Sequence, residues 1–383
     1  MPILVEKEAQ LLSLAQELGR NSVYCLDTEF DSRASGATLC LIQLSTQEAI
    51  YVIDTLALRS LAPLAETLGH SSCTWVVHSG HQDIPLLRQA MGLNEIPHLF
   101  DTQIAWGLSS PEPATSFAYL NYKLLGLRSS KQHQSDDWMR RPLTHSQLAY
   151  AAHDVEPLPQ LHALLQQRVA DLGREPLVTE ACKEILCAAD ETWEPLALES
   201  FRNAWQLEPA GQHALSDLIE WYNSMSPGER YQAPESKILW SLANRLPQSV
   251  EALRQVRGLP RNLTPNHQQR ILSIIRGAEQ ADNRHLPLLV PPPYATFERL
   301  QLDAWLEYVR SAACAKAQVS KELVIGGHRL RRLREAVAQS GLDAFEPAAL
   351  LDLLGHWQFE IVGEALAWAA ARIEFPSALA TRD

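Results

Sequence analysis

Over roughly the first eighty residues apolar positions come in short blocks, and after that they recur at helical spacing. Residues 22–30 (Ser-Val-Tyr-Cys-Leu-Asp-Thr-Glu-Phe), 39–45 and 49–54 are rich in β-branched and aromatic residues and predict strands. Gly36 marks the first turn, and Thr46-Gln47-Glu48 links the second and third strands. Such short links imply antiparallel hairpins rather than crossovers. A helical stretch at 60–68 leads to a fourth strand at 74–78. Helical periodicity then covers 81–91, 101–108, 116–125 and a long segment beginning near Thr144. Hairpin strands followed by mixed strands and helices predict an α/β layer with a mixed sheet.

Beyond about residue 195 no strand pattern remains, and two all-helical blocks follow. Between them lies Leu286-Pro-Leu-Leu-Val-Pro-Pro-Pro293. Its prolines remove backbone donors and fix φ, so it reads as an extended linker. The expected organisation is a first domain over 1–195, a helical domain over 196–286, a linker at 287–293 and a second helical domain over 294–383. The two blocks loosely repeat, Phe201…Trp240…Gly258 against Phe297…Val324…Trp357. An interval of about 80 residues is a domain duplication, not a solenoid period.

The net charge of −12 argues at first against a nucleic-acid partner. Its distribution changes the picture. Residues 1–195 carry 24 acidic and 13 basic side chains, while 196–290 are net +1 and 291–383 net −2. An acidic first half suits a carboxylate cluster that binds divalent cations, and bound metals locally reverse the field a phosphate meets. The alternative is a solvated acidic surface. No window has the roughly 18 uninterrupted apolar residues of a membrane span, and the acidic start does not resemble a signal peptide. Six cysteines form no C-x-x-C pair and have no zinc-like spacing with histidine, so they read as reduced and structural. These features predict a cytoplasmic protein.

Three short motifs carry candidate chemistry. Asp27-Thr28-Glu29 ends the first strand, and side chains at i and i+2 share one strand face. Paired carboxylates repel unless a cation compensates, which favours a hard ion bound through oxygen. Alone, such a pair is also an ordinary strand-end cap or ion pair. Tyr150 and Asp154 stand at i, i+4, on one face of a helix; taken singly they read equally as a core aromatic and a solvated charge. Asp83 lies near the start of a helix, where the dipole favours an acid anyway.

The ordered conjunction is more specific. D-x-E on strand one, His78-x4-Asp83 after the fourth strand and Tyr150-x3-Asp154 on a later helix resemble the DEDD exonuclease superfamily in its tyrosine branch. Leu26-Asp-Thr-Glu-Phe30, Leu41-Ile-Gln-Leu44, Phe100-Asp-Thr-Gln-Ile104, Lys131, Trp138-x-x-Arg-Pro-Leu143 and Leu148-Ala-Tyr-Ala-Ala-His-Asp-Val155 narrow the resemblance to ribonuclease D. It covers nearly the whole chain, the helical blocks resembling the helicase-and-RNase-D C-terminal (HRDC) domain twice over. Ala149 stands where the histidine branch needs its histidine, with His153 on another helical face, which keeps the resemblance to the tyrosine branch. One departure is local: Ser79 stands where many relatives carry Asn or Ala.

The resemblance implies a ribonuclease H-like exonuclease domain in which Asp27, Glu29, Asp83 and Asp154 hold two Mg²⁺ or Mn²⁺ ions and Tyr150 orients the attacking water. It implies a 3′→5′ exoribonuclease that trims transfer-RNA precursors and other structured RNAs and releases nucleoside 5′-monophosphates. A monomer without an organic cofactor is expected. His78, Lys131 and Arg141 are candidate substrate contacts, with ordering of the loop the alternative for Arg141. Arg329, Arg331, Arg332 and Arg334, and Arg254, Arg257 and Arg261, are candidate phosphate contacts or solvated faces. The competing readings are a DNA 3′→5′ exonuclease of proofreading or Werner type and a non-catalytic RNA-binding protein on a nuclease fold.

Overall fold

The structure is a computed structural model that describes residues 2–19, 22–31, 38–128, 136–188, 195–198, 201, 203–225, 233–234, 236–259, 263–281 and 297–376. Lys131, Arg261 and the proline-rich linker lie outside the described residues. Contacts divide the chain into two compact units. One comprises 1–29, 39–191 and 295–383; the other comprises 30–38 and 192–294.

The first unit is built on a six-stranded sheet. Its strands are β1 (Ile3–Val5), β2 (Val23–Asp31), β3 (Thr38–Ser45), β4 (Ile50–Asp54), β5 (Thr74–Val77) and β6 (His98–Asp101), in the order β1-β4-β3-β2-β5-β6. β3 and β4 pair antiparallel across a short link, residues 46–49, as the sequence predicts. β1 runs parallel to β4, β5 to β2 and β6 to β5, so the sheet is mixed. The three-residue β1 and the four-residue β6 carry too little pattern to be read from sequence.

Helices cover both faces. In α1 (Glu8–Leu18) the buried Leu11, Leu14 and Leu18 form one stripe, and the Tyr24 hydroxyl donates to the Leu18 carbonyl at 2.6 Å. The Trp75 indole N–H likewise donates to the last turn of α2 (Ala62–Leu68), at Leu68 O, 2.9 Å. These two bonds satisfy the polar tips of large, fully buried aromatics and fix the helices against β2 and β5. Next come α3 (Asp83–Met91), α4 (Thr102–Gly107) and α5 (Phe117–Leu125). The long helix predicted from Thr144 is broken in two, α6 (His145–Val155) and α7 (Leu158–Asp171), because Pro157 between them has no N–H to donate. A Thr144–Gln147 capping box starts α6. α8 (Glu175–Ala188) follows.

Among the described residues no strand follows β6. The C-terminal helices, beginning with Phe297–Ala317, belong to the same unit as the sheet and share its apolar core through Trp305, Leu306 and Val309. Polar ties reinforce that packing. Ser320 N–H donates to Gly107 O at 2.7 Å, and a Cβ on Gly107 would lie 2.7 Å from the Leu323 Cδ2, so a larger residue there would push that side chain aside. One oxygen of Glu184 accepts from Arg329 (2.8 Å), Trp357 (2.7 Å) and Gln358 (2.8 Å). The second unit has its own core, centred on Leu215, Leu218, Leu239, Leu242, Ile271 and Ile275. Among the described residues no helix is long and apolar enough to cross a membrane, and Cys25, Cys40, Cys73, Cys182 and Cys314 are buried thiols outside any disulfide.

Candidate active site

Three neighbouring parallel strands end side by side. In register, Cys25 of β2 faces Val76 of β5, and Val77 of β5 faces Asp101 of β6. The chain therefore delivers Asp27 and Glu29, then His78, then Asp101 to one edge of the sheet. The region beyond the carboxyl ends of parallel strands is where open α/β sheets place ligands. α3 begins at Asp83 directly after β5, and α6 adds Tyr150 and Asp154.

Electrostatics show that the four predicted acids converge. Burial, then the charges of Asp83, Asp154 and Glu29, push the Asp27 carboxyl well above the usual carboxylate range. Glu29 is pushed up to about 8 by burial, then by Asp154, Asp83 and Asp136. Burial raises Asp83 too, opposed by a hydrogen bond from Thr28 Oγ1. Asp154 rises to about 6 through burial, tempered by the hydrogen bond from Tyr150 and by His153. That burial, the neighbouring Asp154, Glu29 and Asp27 charges and the Asp154 hydrogen bond push the Tyr150 phenol upward, so it keeps its proton at neutral pH. Among the described residues no three acidic, histidine or cysteine side chains are already drawn around one ion-sized point. The mutual repulsion nevertheless shows that the acids feel one another, and oxygen-only donors of net negative charge suit a hard divalent cation.

The other predicted residues divide. His78 Nδ1 lies 2.9 Å from Thr102 Oγ1, its ring 5.2 Å from that of Phe117, and its Nε2 is sealed from solvent with no partner of hydrogen-bond geometry. Burial lowers its pKa against the pull of Asp101, which keeps the ring neutral. His153 is exposed and lies 3.0 Å from Glu156. Arg141 directs all five of its N–H groups at protein acceptors: Asp54 (2.5 and 2.7 Å) and the carbonyls of Trp138 (2.7 Å), Arg140 (3.0 Å) and Cys40 (3.2 Å). Three of the four clustered C-terminal arginines face protein acids: Arg329 to Glu184, Arg332 to Asp352 and Arg334 to Asp303. Arg254 and Arg257 are exposed.

Motif spacing does not single out Thr28, Asp101 or Asp136. Asp101 is fully buried and caps α4, accepting from Gln103 (2.8 Å) and Ile104 (3.3 Å). It also accepts the N–H groups of Ser79 (3.1 Å) and Gly80 (2.9 Å), which tie down the turn between His78 and Asp83. The turn needs that hold, because Ser79 has φ 59°, in the left-handed region. Asparagine adopts this conformation more readily than serine. Ser79→Asn is expected to stabilise the protein by about 0.5 kcal/mol, read as a small rise in Tm; a fall would mean that the serine hydroxyl has a role of its own.

Known proteins bear on this site at two levels. A family model described as 3′-5′ exonuclease matches residues 2–170, the span that contains the sheet and all five motif residues. The fold and site thus define a 3′→5′ exonuclease. The chain is 28% identical to ribonuclease D of Gluconacetobacter diazotrophicus over 382 residues, 97% of this chain and 94% of that one. It is 33% identical to ribonuclease D of Xanthomonas oryzae pv. oryzae over 238 residues, 60% of this chain and 64% of that one. The solved structure of Escherichia coli RNase D, described as an exoribonuclease involved in structured RNA processing, shares the fold with a TM-score of 0.68 at 24% identity, over 97% of this chain and 99% of that one. The comparisons indicate a 3′→5′ exoribonuclease similar to ribonuclease D.

Proposed function

We propose that Asp27, Glu29, Asp83 and Asp154 hold two divalent metal ions, Mg²⁺ or Mn²⁺, and that the chain trims the 3′ ends of transfer-RNA precursors and other structured RNAs one nucleotide at a time. The observation that carries this reading is that Asp83 and Asp154, remote in sequence, lie close enough to the Asp27–Glu29 pair for their charges to raise both of its carboxyl pKa values. When bound, the ions would activate a water and stabilise charge developing on the phosphate and the leaving 3′ oxygen. The protein's own part is positional. Asp154 accepts from Tyr150, which fixes the phenol beside the acids, and the protonated phenol can orient a water but not deprotonate it. Thr28 holds Asp83 through its carboxylate, and Asp101 holds the turn that leads to it. His78, neutral and with its Nε2 sealed from solvent, remains a candidate substrate contact by resemblance alone.

We assign both helical blocks as HRDC-type domains, with Arg254 and Arg257 the stronger candidates for phosphate contact because the C-terminal cluster is largely occupied by acids. Lys131 remains a candidate substrate contact by resemblance alone. The reading includes a cytoplasmic monomer. A 3′-extended transfer-RNA precursor and a matched DNA strand, each incubated with Mg²⁺ or Mn²⁺, test it. Nucleoside 5′-monophosphates released from the RNA and blocked by EDTA are expected. Tyr150→Phe should slow release about 100-fold with metal affinity kept. Equal rates on DNA would favour the proofreading-type alternative, and no release from wild type with either metal would leave only an RNA-binding scaffold.

A further inference from the structure

We propose that Arg141 and Asp54 form a positioning pair for the exonuclease reaction, setting the Tyr150 phenol through Trp138 rather than touching RNA. The inference rests on the reading of Tyr150 as the residue that orients water.

Asp54 ends β4 and is almost fully buried, and the Arg141 guanidinium meets it with two parallel bonds, the fork geometry that fixes orientation as well as distance. The remaining N–H groups hold the carbonyl of Cys40 on β3 and those of Trp138 and Arg140. One side chain thus fastens the segment before α6 to two strands of the sheet. A guanidinium with all five donors engaged has none left for a phosphate.

That fastening has a target. Trp138 is 3% exposed, and its ring lies 6.1 Å from that of Tyr150, tilted by 31°. Trp138 packs with Cys40, Leu41, Val52 and Ala151, and Tyr150 lies against this cluster. The Trp138 indole N–H is buried without a partner, so no polar bond of its own orients the ring. Packing and the tied backbone orient it instead. Lysine at 141 keeps the charge but supplies a point donor in place of the planar fork, so the loop, the indole and then the phenol lose their fixed placement. Misplacing a reacting group by about 1 Å costs on the order of 100-fold in rate.

The test is a double-mutant cycle on a short single-stranded RNA with saturating metal, using Arg141→Lys, Asp54→Asn and Tyr150→Phe. Arg141→Lys is expected to lower kcat by about 10- to 100-fold, with KM and its salt dependence unchanged. In the Tyr150→Phe background the same substitution is expected to cost less than about twofold, because the group it positions is gone. Asp54→Asn is expected to behave as Arg141→Lys does and serves in its place if that variant fails to fold. Equal losses in both backgrounds, or an unchanged kcat, would overturn the inference. A raised KM with a shallower salt slope would show instead that Arg141 contacts a phosphate. If Tyr150→Phe alone leaves the rate intact, the reading beneath the inference has failed, which is a separate result.

Discussion

Asp27→Asn is expected to abolish nucleotide release, by about 1,000-fold or more, while leaving the metal-free protein at least as stable as wild type at pH 8. The two halves have one cause. Asp27 lies at the focus of the site, where burial, Asp83, Asp154 and Glu29 all oppose its charge. An isosteric neutral amide removes that repulsion and so relieves the folded state. It also removes the carboxylate best placed to ligate cations, and loss of one electrostatic partner of a transition state costs about 100- to 1,000-fold on its own. Release of label from a 3′-labelled RNA, with Tm measured on the same preparations, checks both. A variant that is inactive but clearly less stable would place Asp27 in the scaffold instead.

Raising the pH of metal-free protein from 5 to 8 is expected to lower its stability, and divalent metal is expected to restore it more strongly at pH 8 than at pH 5. Two of these carboxyls shift upward by definite amounts, Glu29 from 4.5 to about 8 and Asp154 from 3.8 to about 6. A carboxyl whose pKa is raised on folding binds more protons in the folded state, so stability falls as pH rises from the unfolded pKa through the folded one. The window therefore runs from about pH 4 to 6 for Asp154 and from about 4.5 to 8 for Glu29. At about 1.4 kcal/mol per pKa unit, Glu29 alone contributes a loss on the order of a few kcal/mol. A cation bound by the ionised cluster cancels that loss and displaces protons. Thermal denaturation with and without Mg²⁺ across this range, and calorimetry in buffers of different ionisation enthalpy, measure the two effects. Stability that rises with pH between 5 and 8, or metal stabilisation that is stronger at pH 5, would show that these acids do not dominate the linkage.

The consequences for the rest of the site follow from how it is held. Thr28, Asp101, Asp54 and Arg141 touch the motif residues or the turns that carry them, and each acts through hydrogen bonds to backbone or carboxylate. Their contributions are expected to couple with those of the residues they hold, because bonds sharing partners do not add independently.

Local pattern sufficed for much of this. The β-branched blocks give β2 to β5, the short Thr46–Glu48 link gives the antiparallel β3–β4 pair, and the Thr144–Gln147 box gives the start of α6, since all three depend on neighbours a few residues away. The motif residues Asp27, Glu29, Asp83, Tyr150 and Asp154 are legible by type, order and spacing. Tertiary structure alone decided where the guanidinium of Arg141 points, because its acceptors Asp54 and Cys40 lie 87 and 101 residues away. It also decided that the clustered arginines at 329, 332 and 334 face acids of the same chain, and that Asp101 closes the turn at Ser79. A side chain's charge is written in the sequence, but which partner neutralises it depends on distances that only the packed chain sets.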